Sequence, residues 1–541
     1  MKKLILGSAI LAALNATGAQ AVINVDGNNL PIIDPAQTNV IYLSGASAVV
    51  NFVDNLVTSS SVPAIEKICD TSKKVWKYRD SVTGTDQNAY LCERATTNPD
   101  LPTNKPNLLV YKRSAGGSAF GVSPIIAEAN GDSATATLAF LKISSACTQT
   151  TAPVAGSVLG QIQCPYNLND ANQVSLHIPD FGVSDVDPAQ FVGNNAPAGF
   201  SDVTADDVSK LTVKSFAALA FGAPVSKNLY YALQAAQLAP NGPLPASCDP
   251  RDGSPDETEA CMPSLSSAQL ASIHAGSWAD WNQLKVGDKG LHEWVQANAP
   301  AYLPPVSYLH TCRRENGSGT QAQSNIKFLH DPCTAAAGAT PPAADVLSLG
   351  LGEGDGYPMI HENNTSGSVA NCLNELDDGT NAANGFNNIW GKRWAVGILS
   401  LERSTSASGK FRFVKVDGAA PTLANVASGK YKDWVETTMQ YWTEHQFSAD
   451  ATENDALKKI ADAMIKSSGS PTVIASLNAG FTHTFTSTPG AYLAVPSSFT
   501  PEPNGAFLAS RPVNPYSHAT ATADTNNCRV PTIYNSGDAK L

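Results

Sequence analysis

Short apolar runs alternate along the chain with glycine-containing polar turns and with helical patterns. The apolar run at 40–43 precedes the turn Ser44-Gly-Ala-Ser-Ala48 and an apolar helix start. The runs at 108–111 and 306–310 each precede a similar turn and helix, and the second of these helices begins near Ser318. Strands that alternate with helices in this way predict an α/β protein.

Further apolar and amphipathic segments complete the predicted elements. A strand at 174–178 leads toward Asp185, and a helix with a capped start begins at 264. Two polar stretches, near 69–105 and 130–170, each hold two cysteines and are typical of insertions fastened by disulfides. Other predicted strands lie at 216–221, 229–233, 394–399 and 434–442, and other predicted helices at 366–375 and 455–467.

The first residues are typical of a secretory signal peptide. A basic start at Met1-Lys-Lys3 precedes an apolar run at 4–14 and the small-residue ending Ala19-Gln-Ala21, which predicts cleavage after Ala21. No later apolar stretch is long enough to span a bilayer. We therefore expect an exported protein, in the periplasm or secreted, that does not span a membrane.

The ten cysteines are an even number in a chain that we expect to be exported, which favours disulfides. The sequence contains no Cys-x-x-Cys motif, which would indicate a metal site. Spacing alone does not establish connectivity, so pairing of near neighbours is one interpretation. That interpretation joins Cys69 to Cys92, Cys147 to Cys164, Cys248 to Cys261 and Cys312 to Cys333, and leaves Cys372 with Cys528.

The charge balance bears on the possible partners. The chain has 35 basic and 47 acidic residues, a formal charge of −12 at pH 7, and no basic tract. This argues against nucleic acid or an anionic membrane surface as a partner. An acidic protein can still bind an anion, because donors inside a closed and water-poor cleft outweigh the distant field.

The turn Arg314-Glu-Asn-Gly-Ser-Gly-Thr320 has the residues of an anion-binding loop. The first N–H groups of a helix have no partner inside it and lie at the positive end of the helix dipole. Glycines allow the backbone to approach a ligand, and hydroxyl groups and an arginine add donors. The same sequence also fits an ordinary capping loop with a surface arginine.

Four motifs occur in the order found in the substrate-binding protein of the bacterial ABC phosphate importer. Later segments at 265–281 and 395–398 also resemble parts of that family. The chain therefore resembles an enlarged and divergent member of the family. The four motifs are Ser44-Gly-Ala-Ser, Ser114-Ala-Gly-Gly, Phe181-Gly-Val-Ser-Asp185 and Arg314-Glu-Asn-Gly-Ser-Gly-Thr320.

The resemblance implies the two-lobed fold of type II periplasmic binding proteins, an α/β fold whose lobes close on the ligand about a hinge. It places the first lobe at 22–215, the second at 216–432, and the return to the first lobe with a C-terminal tail at 433–541. It further implies inorganic phosphate or a similar protonated oxyanion as ligand, no cofactor and no metal. A monomer that serves an inner-membrane ABC permease is also implied.

The resemblance also implies how the anion is held. The Asp185 carboxylate can only accept a hydrogen bond, so it would favour a ligand that still carries a proton over fully ionised sulfate. From the residues alone, Asp185 could instead cap a helix that starts near Pro188. The donors implied by the resemblance are Ser47, the backbone of Ala48, Ser114, Arg314, Ser318, Gly319 and Thr320.

Three positions depart from the pattern of the family. Ala48 replaces an aromatic residue, although the contact there is through the backbone. Asn316 replaces an aspartate that pairs with the site arginine, so Arg314 would be held less firmly. Arg113 replaces a glycine, and it either adds charge to the site or points to solvent.

Two functions of other classes stay open beside phosphate binding. One is a secreted phosphoesterase or serine hydrolase, although the sequence holds no Gly-x-Ser-x-Gly or His-Glu-x-x-His motif. The other is an extracellular interaction module that keeps the fold and binds phosphate weakly or not at all. The nine histidines are scattered, and His177, His310 and His361 are typical of strand or loop residues. We therefore predict a binding protein without catalysis.

Overall fold

The computed structural model describes residues 23–84, 86–253, 255–334, 339–342, 349–380, 390–488, 490–496, 507–520 and 522–534. The signal peptide expected at 1–21 lies outside these residues and stays a prediction. Within the described ranges, no helix is long and apolar enough to cross a membrane.

The strands alternate with helices along the chain, so the predicted α/β fold class is confirmed. The strands up to residue 226 are β1 Thr38–Gly45, β2 Val75–Asp80, β3 Gln87–Glu93, β4 Asn107–Arg113, β5 Leu138–Leu141, β6 Thr148–Thr151, β7 Gly160–Cys164, β8 Val174–His177, β9 Phe181–Ser184 and β10 Leu211–Ser226. The following strands are β11 Ser264–Leu265, β12 Lys285–Val286, β13 Lys289–Gly290, β14 His310–Arg314, β15 Met359–Asn363, β16 Ala395–Gly397, β17 Leu399–Ser400, β18 Phe411–Val416, β19 Trp434–Trp442, β20 Tyr492–Ala494, β21 Tyr516–Ser517 and β22 Thr532–Ile533.

Helices of three types lie between these strands. The α-helices that the structure describes are α1 Val50–Thr58, α2 Ser123–Ala129, α3 Ser133–Ala136, α4 Ala205–Ser209, α5 Lys227–Ala236, α6 Ser267–His274, α7 Leu291–Asn298, α8 Gly319–Ser324, α9 Ser366–Asp378, α10 Leu423–Ala427, α11 Ala451–Ser468 and α12 Pro471–Asn478. A 3₁₀ helix spans Ser118–Gly121, and a π-helix spans Asn325–Leu329 directly after α8.

One large sheet carries most of the strands. Its path runs β15–β14–β16–β10–β19–β9–β1–β4–β3–β2–β7–β6. β1 is parallel to β4 and β9, and β14 is parallel to β15 and β16. We call these two sets of parallel strands the β1 half and the β14 half. Because parallel strands end at the same edge, the loops after β1, β4 and β9 lie together, and so do the loops after β14 and β15.

β10 joins the two halves. Its first part pairs antiparallel with β19, which in turn pairs with β9 of the β1 half. From Phe221 onward it pairs with β16, β17 and β18 on the side of the β14 half. The β10–β19 ladder shifts register between Ser215 and Ala217, at the predicted boundary between the lobes, and β19 begins at Trp434, next to the second predicted boundary. The division into lobes itself stays a prediction.

α1 shows how the sequence builds the core beside the β1 half. Its buried residues include Phe52, Val53 and Leu56, which recur at helical spacing on one face. The Phe52 ring packs edge-on against the rings of Phe216 and Tyr492, with centroid distances of 5.1 and 4.7 Å. These contacts hold α1 against β10 and β20, and they thereby fix the position of the loop that precedes α1.

The segment predicted as a strand at 229–233 lies in α5, so that prediction is wrong. Every residue from Leu229 to Ala236 is buried. A helix that is apolar on all sides shows no helical period, and a short apolar run then reads equally well as a buried strand.

Other predicted elements are shifted or confirmed. The strand expected at 306–310 starts only at His310 and ends at Arg314. The strand expected at 174–178 is β8, which pairs with β5 outside the large sheet, and β9 is the strand that leads to Asp185. The strand expected at 394–399 is divided into β16 and β17. Strands predicted at 40–43, 108–111, 216–221 and 434–442, and helices predicted at 366–375 and 455–467, are confirmed.

The two predicted insertions enlarge the sheet. The segment near 69–105 supplies β2 and β3, and the segment near 130–170 supplies β6 and β7. β3 pairs with β4, and the other strands follow outward from it. The insertions therefore extend the edge of the β1 half.

All ten cysteines form disulfides. Three bonds confirm the pairing of near neighbours: Cys69–Cys92, Cys147–Cys164 and Cys248–Cys261. The other two predicted bonds are wrong, because the structure joins Cys312 to Cys372 and Cys333 to Cys528. Cys312 lies on β14 and Cys372 on α9, which packs against that strand. The packing of α9 against β14 determines this pairing. The spacing of the cysteines along the chain does not reveal it.

Replacing both Cys333 and Cys528 with serine is expected to lower the free energy of unfolding by about 2–4 kcal/mol. This bond spans a sequence separation of 195, against 13 for Cys248–Cys261. A longer closed loop removes more entropy from the unfolded chain, so the matched double variant at Cys248 and Cys261 should lose less. Denaturant titration of both variants measures this, and equal losses would contradict the expectation.

Candidate anion-binding site

Arg314 ends β14 and is 2% exposed. Its Nη1 donates to Ser366 Oγ over 3.2 Å, and its Nη2 donates to the backbone oxygen of Asn364 over 2.7 Å. Its Nε has no hydrogen-bonding partner among the described residues. Burial lowers the pKa of Arg314, and the nearby Asp185 carboxylate opposes that shift. The guanidinium is therefore fixed in position, and the N–H at Nε is left to donate.

The anchoring of Arg314 differs from the expectation. Asn316, which stands where the family has an aspartate, lies in a turn and is exposed. Ser366, at the start of α9, and the backbone of Asn364 hold the guanidinium instead. The expected loosening of Arg314 stays a prediction, because the structure shows two neutral acceptors and no comparison with a carboxylate.

Asp185 follows β9 directly and is 3% exposed. Its backbone N–H donates to Ser118 Oγ over 3.1 Å, and Thr320 Oγ1 donates to its Oδ2 over 3.5 Å. Its Oδ1 has no partner in the part of the chain that the structure describes. Burial, followed by the negative charge of Glu402, raises the pKa of Asp185 to about 7. The carboxyl group thus exchanges its proton near neutral pH.

The alternative role of Asp185 as a helix cap is wrong. The short 3₁₀ helix Pro188–Gln190 is capped by Asp187, whose Oδ1 accepts from the backbone N–H of Ala189 over 3.2 Å. The Asp185 side chain is left to face the loop after β14, where Thr320 lies.

The loops after β4 and β14 are in close contact with Asp185. A Cβ at Gly319 would lie 2.3 Å from Ser118 Oγ and 2.6 Å from the Cβ of Asp185, so only glycine fits there. The backbone N–H of Ala119 donates to the oxygen of Gly317 over 2.9 Å. The β1 half and the β14 half therefore meet at this point. The structure brings Asp185, Gly319 and Thr320 together as the sequence predicts.

Ser318 lies beside this contact. It is 1% exposed, and its Oγ has no partner among the described residues. The side chain precedes Gly319, the first residue of α8. Its hydroxyl is therefore a buried donor in the loop after β14.

The loop after β1 carries Ser47 and Ala48. The backbone N–H of Ala46 donates to the oxygen of Val183 over 2.9 Å, which holds this loop against β9. Ala48 accepts from Tyr492 Oη over 3.2 Å through its backbone oxygen. Ser47 is half-buried. Its role as a donor stays a prediction.

Ser114 lies at the base of its loop, where its Oγ accepts from Lys112 Nζ over 3.1 Å. Lys112 also donates to the backbone oxygens of Gly45 and Arg113. Ser118, in the same loop, is the serine that contacts Asp185. Ser118 could have been identified from the sequence, because it ends the glycine turn that carries the Ser114 motif.

Arg113 does not point to solvent, so that alternative is wrong. It is 8% exposed, and its guanidinium lies 4.8 Å from the centre of the Phe120 ring. Its Nε donates to the backbone oxygen of Ala139 and its Nη1 to that of Ala115. These contacts hold the loop after β4, and none of them reaches Asp185 or Arg314.

Two charged residues of the site were missed by the sequence analysis. Glu402 and Arg403 follow β17, and Glu402 Oε2 accepts from Asn51 Nδ2 and from Tyr492 Oη, each over 3.2 Å. The Arg403 guanidinium lies beside Gly367 at the start of α9, and its Nε has no partner among the described residues. No spacing signal links residue 402 to residue 185, because the contact depends on the fold.

Charged groups of both signs surround the site. Its cations are Arg314, Arg403 and Lys112, and burial, followed by the charge of Arg113, lowers the pKa of Lys112 to about 7. Its carboxylates are Asp185 and Glu402, and Glu315 and Asp86 also act on Arg314 and on Lys112. Within the described residues, no cluster of histidine, cysteine, aspartate or glutamate is arranged to hold a metal ion. Buried donors that include an arginine are suited to an anion.

Comparisons with known proteins give structural likenesses only. No protein-family model and no curated protein matches the chain. A solved structure assigned as a phosphate ABC transporter substrate-binding protein with bound phosphate, from Clostridium perfringens, is 12% identical over 81% of this chain and 98% of its own, with a TM-score of 0.36. A phosphate-binding protein from Stenotrophomonas maltophilia is 11% identical over 78% and 82% of the two chains, with a TM-score of 0.32. PstS from Borrelia burgdorferi is 11% identical over 78% and 97%, with a TM-score of 0.28. At such TM-scores, the geometry of the chain itself must decide what it binds.

Proposed function

We propose that this chain is an exported solute-binding protein that holds inorganic phosphate, or a similar protonated oxyanion, between the β1 half and the β14 half. A set of buried polar atoms without partners among the described residues carries the proposal. Asp185 Oδ1 lies after β9, and Arg314 Nε and Ser318 Oγ lie at and after the end of β14. A buried polar group without a hydrogen bond costs about 1–3 kcal/mol, so a ligand that satisfies these atoms is favoured.

The chemistry of these atoms matches a protonated oxyanion. Arg314 Nε and Ser318 Oγ can donate to oxygens of the ligand, and an ionised Asp185 can only accept. Phosphate near neutral pH offers both unprotonated oxygens and an O–H group. Sulfate has no proton to offer, so it would leave Asp185 facing an oxygen of like charge.

The arrangement of the histidines supports binding without catalysis. His310 starts β14 and Arg314 ends it, so they lie about 13 Å apart along the strand. His310 Nδ1 is 2.9 Å from His361 Nε2, and its Nε2 is 2.8 Å from Glu353 Oε1. His310 is too far from Arg314 to act as a general base on an anion bound there.

The transport role and the location are part of the same proposal. The predicted signal peptide and the five disulfides both fit an oxidising compartment, so we place the protein in the periplasm or outside the cell. There it would act as a monomer that takes up phosphate and passes it to an inner-membrane ABC permease.

Calorimetric titration of phosphate into the dialysed, mature protein tests the binding. We expect one phosphate bound per chain, and no phosphate released from a phosphate monoester in a malachite-green assay. Release of phosphate from the ester would favour the phosphoesterase. Absence of phosphate binding would favour the interaction module and overturn the proposal.

A further inference from the structure

We propose that Lys112, which lies outside the recognised motifs, is a positioning residue of the anion site. It joins the end of β1 to the loop after β4 and directs the hydroxyl hydrogen of Ser114 toward the anion. The inference rests on the proposed function and deepens it, because it names what orients one of the expected donors. It requires no contact between Lys112 and the ligand.

Lys112 continues an apolar row of β4. Leu108, Val110 and Lys112 alternate along the strand, so their side chains leave the same face of the sheet. Leu108 and Val110 are buried in the core that also contains the apolar face of α1. Lys112 is 0% exposed, and the parallel pairing of β1 with β4 sets it opposite Leu43, two residues before Gly45. Its amine therefore lies where β1 and β4 pass into their loops.

The amine of Lys112 makes three hydrogen bonds, all to uncharged oxygens. Its Nζ donates to the backbone oxygen of Gly45 over 2.9 Å, to that of Arg113 over 3.0 Å and to Ser114 Oγ over 3.1 Å. Gly45 ends β1, Arg113 ends β4, and Ser114 begins the loop after β4. An ammonium group has three N–H donors and no acceptor, so these oxygens use all of its donors. Lys112 therefore joins two strand ends of the site and has no donor left for a ligand.

The contact with Lys112 limits where the hydroxyl hydrogen of Ser114 can go. Ser114 is 5% exposed, and its Oγ accepts from Lys112. A hydroxyl group has one donor, and an ammonium group cannot accept, so this hydrogen is directed to another acceptor. In the part of the chain that the structure describes, no residue accepts it. An oxyanion held between the loops would supply the missing acceptor, in the role that the resemblance implies for Ser114.

The charge of Lys112 also favours this arrangement when an anion is bound. Burial, followed by the charge of Arg113, lowers the pKa of Lys112 to about 7, and the carboxylates of Asp185 and Asp86 oppose that shift. A bound anion would act in the same direction as those carboxylates and stabilise the protonated amine. The neutral amine has only two N–H groups for the three oxygens. The anion therefore favours the form of Lys112 that makes all three contacts.

A double-mutant cycle on phosphate affinity tests the inference. Ser114→Ala should weaken binding about fivefold, because it removes one neutral donor. Lys112→Met should weaken binding about tenfold, because Ser114 is no longer oriented and the strand ends are no longer joined. When Lys112→Met is already present, Ser114→Ala should cost less than about twofold more, because the hydroxyl has lost its fixed direction. Calorimetric titration of phosphate into the four proteins measures this coupling.

Lys112→Gln is the conservative variant, because its amide is neutral but has two N–H groups. It should recover part of the affinity that Lys112→Met loses, which a side chain that only fills space would not do. If Lys112→Met shows no folded state in thermal melting, Lys112→Gln takes its place in the cycle. Lys142→Met is the matched control and should bind phosphate as the parent does, because Lys142 donates to the backbone oxygen of Ala171 away from the site.

The outcomes separate the inference from the proposed function. Affinity equal to that of the parent in Ser114→Ala would overturn the inference without any variant of Lys112. Additive losses in the cycle, or no recovery in Lys112→Gln, would overturn it as well. Failure of Lys112→Gln to fold would assign Lys112 to the fold alone and would also overturn it. Absence of phosphate binding by the parent would instead remove the proposed function.

Discussion

Replacing Arg314 with alanine is expected to weaken phosphate binding by roughly ten- to a hundredfold. The guanidinium is 2% exposed and its Nε has no partner among the described residues, so we expect the Nε to make a charge-assisted contact with the ligand. Such contacts contribute about 1.5–3 kcal/mol each. Arg403 and Lys112 remain in the variant, which limits the loss. Ser318→Ala and Thr320→Ala should each cost less, because they remove neutral donors.

Isothermal titration calorimetry of the variant and the parent measures this effect. Arg251→Ala is a suitable control, because Arg251 is paired with Asp249 in an exposed turn and should not change the affinity. Arg314→Lys keeps the charge and should recover part of the loss. Phosphate affinity equal to that of the parent in Arg314→Ala would show that the anion is not held at the end of β14.

Replacing Asp185 with asparagine is expected to narrow the preference for phosphate over sulfate by on the order of tenfold. The substitution keeps the shape of the side chain, removes a buried charge and adds an N–H₂ donor. A sulfate oxygen could then accept from the amide, whereas phosphate loses the acceptor for its O–H group. Titration of both anions into both proteins gives the ratio. Asp187→Asn is the control, since Asp187 caps the neighbouring 3₁₀ helix and should leave the ratio unchanged. An unchanged ratio in Asp185→Asn would reduce the site to one for an unspecified anion.

The same variant should alter how stability depends on pH. The pKa of Asp185 is raised from 3.8 to about 7, first by burial and then by the charge of Glu402. Because the folded state holds this proton more tightly than the unfolded state, Asp185 lowers stability as pH rises from about 4 to about 7. Asp185→Asn removes that contribution, so its melting temperature relative to the parent should be higher at pH 7 than at pH 4. A parallel shift at both pH values would argue against a buried, titrating carboxyl group.

Part of the candidate site could be predicted because its residues are close in sequence. Arg314, Ser318 and Thr320 lie in one turn between a strand and a helix. The glycines within that turn indicate that the backbone can approach a ligand closely. Asp185 is the first residue after β9, so an α/β sheet places it at the same edge as the other loops. For these residues, the local sequence pattern and a general property of parallel strands were sufficient to predict a place in the candidate site.

Other parts of the site depend on contacts between distant segments. Ser118 contacts Asp185, whereas Ser114, which the resemblance implies as a donor to the anion, accepts from Lys112. Glu402 reaches the site only because β10 brings β17 beside the β1 half, where Tyr492 and Asn51 hold it. No periodicity or motif marks Glu402 in the sequence.

The sequence by itself determined the α/β class, the glycine turns between strand and helix, and the three disulfides between near neighbours, since each follows from local periodicity or short chain distance. Only the tertiary structure decided that 229–233 is helical, because a segment buried on every side carries no polar face to mark its period. It also decided that Cys312 bonds Cys372 and Cys333 bonds Cys528, because long-range pairing depends on which elements pack together. The electrostatic influence of Glu402 on Asp185 was decided in the same way, because Glu402 lies 217 positions further along the chain and only the packing of separate strands brings it near.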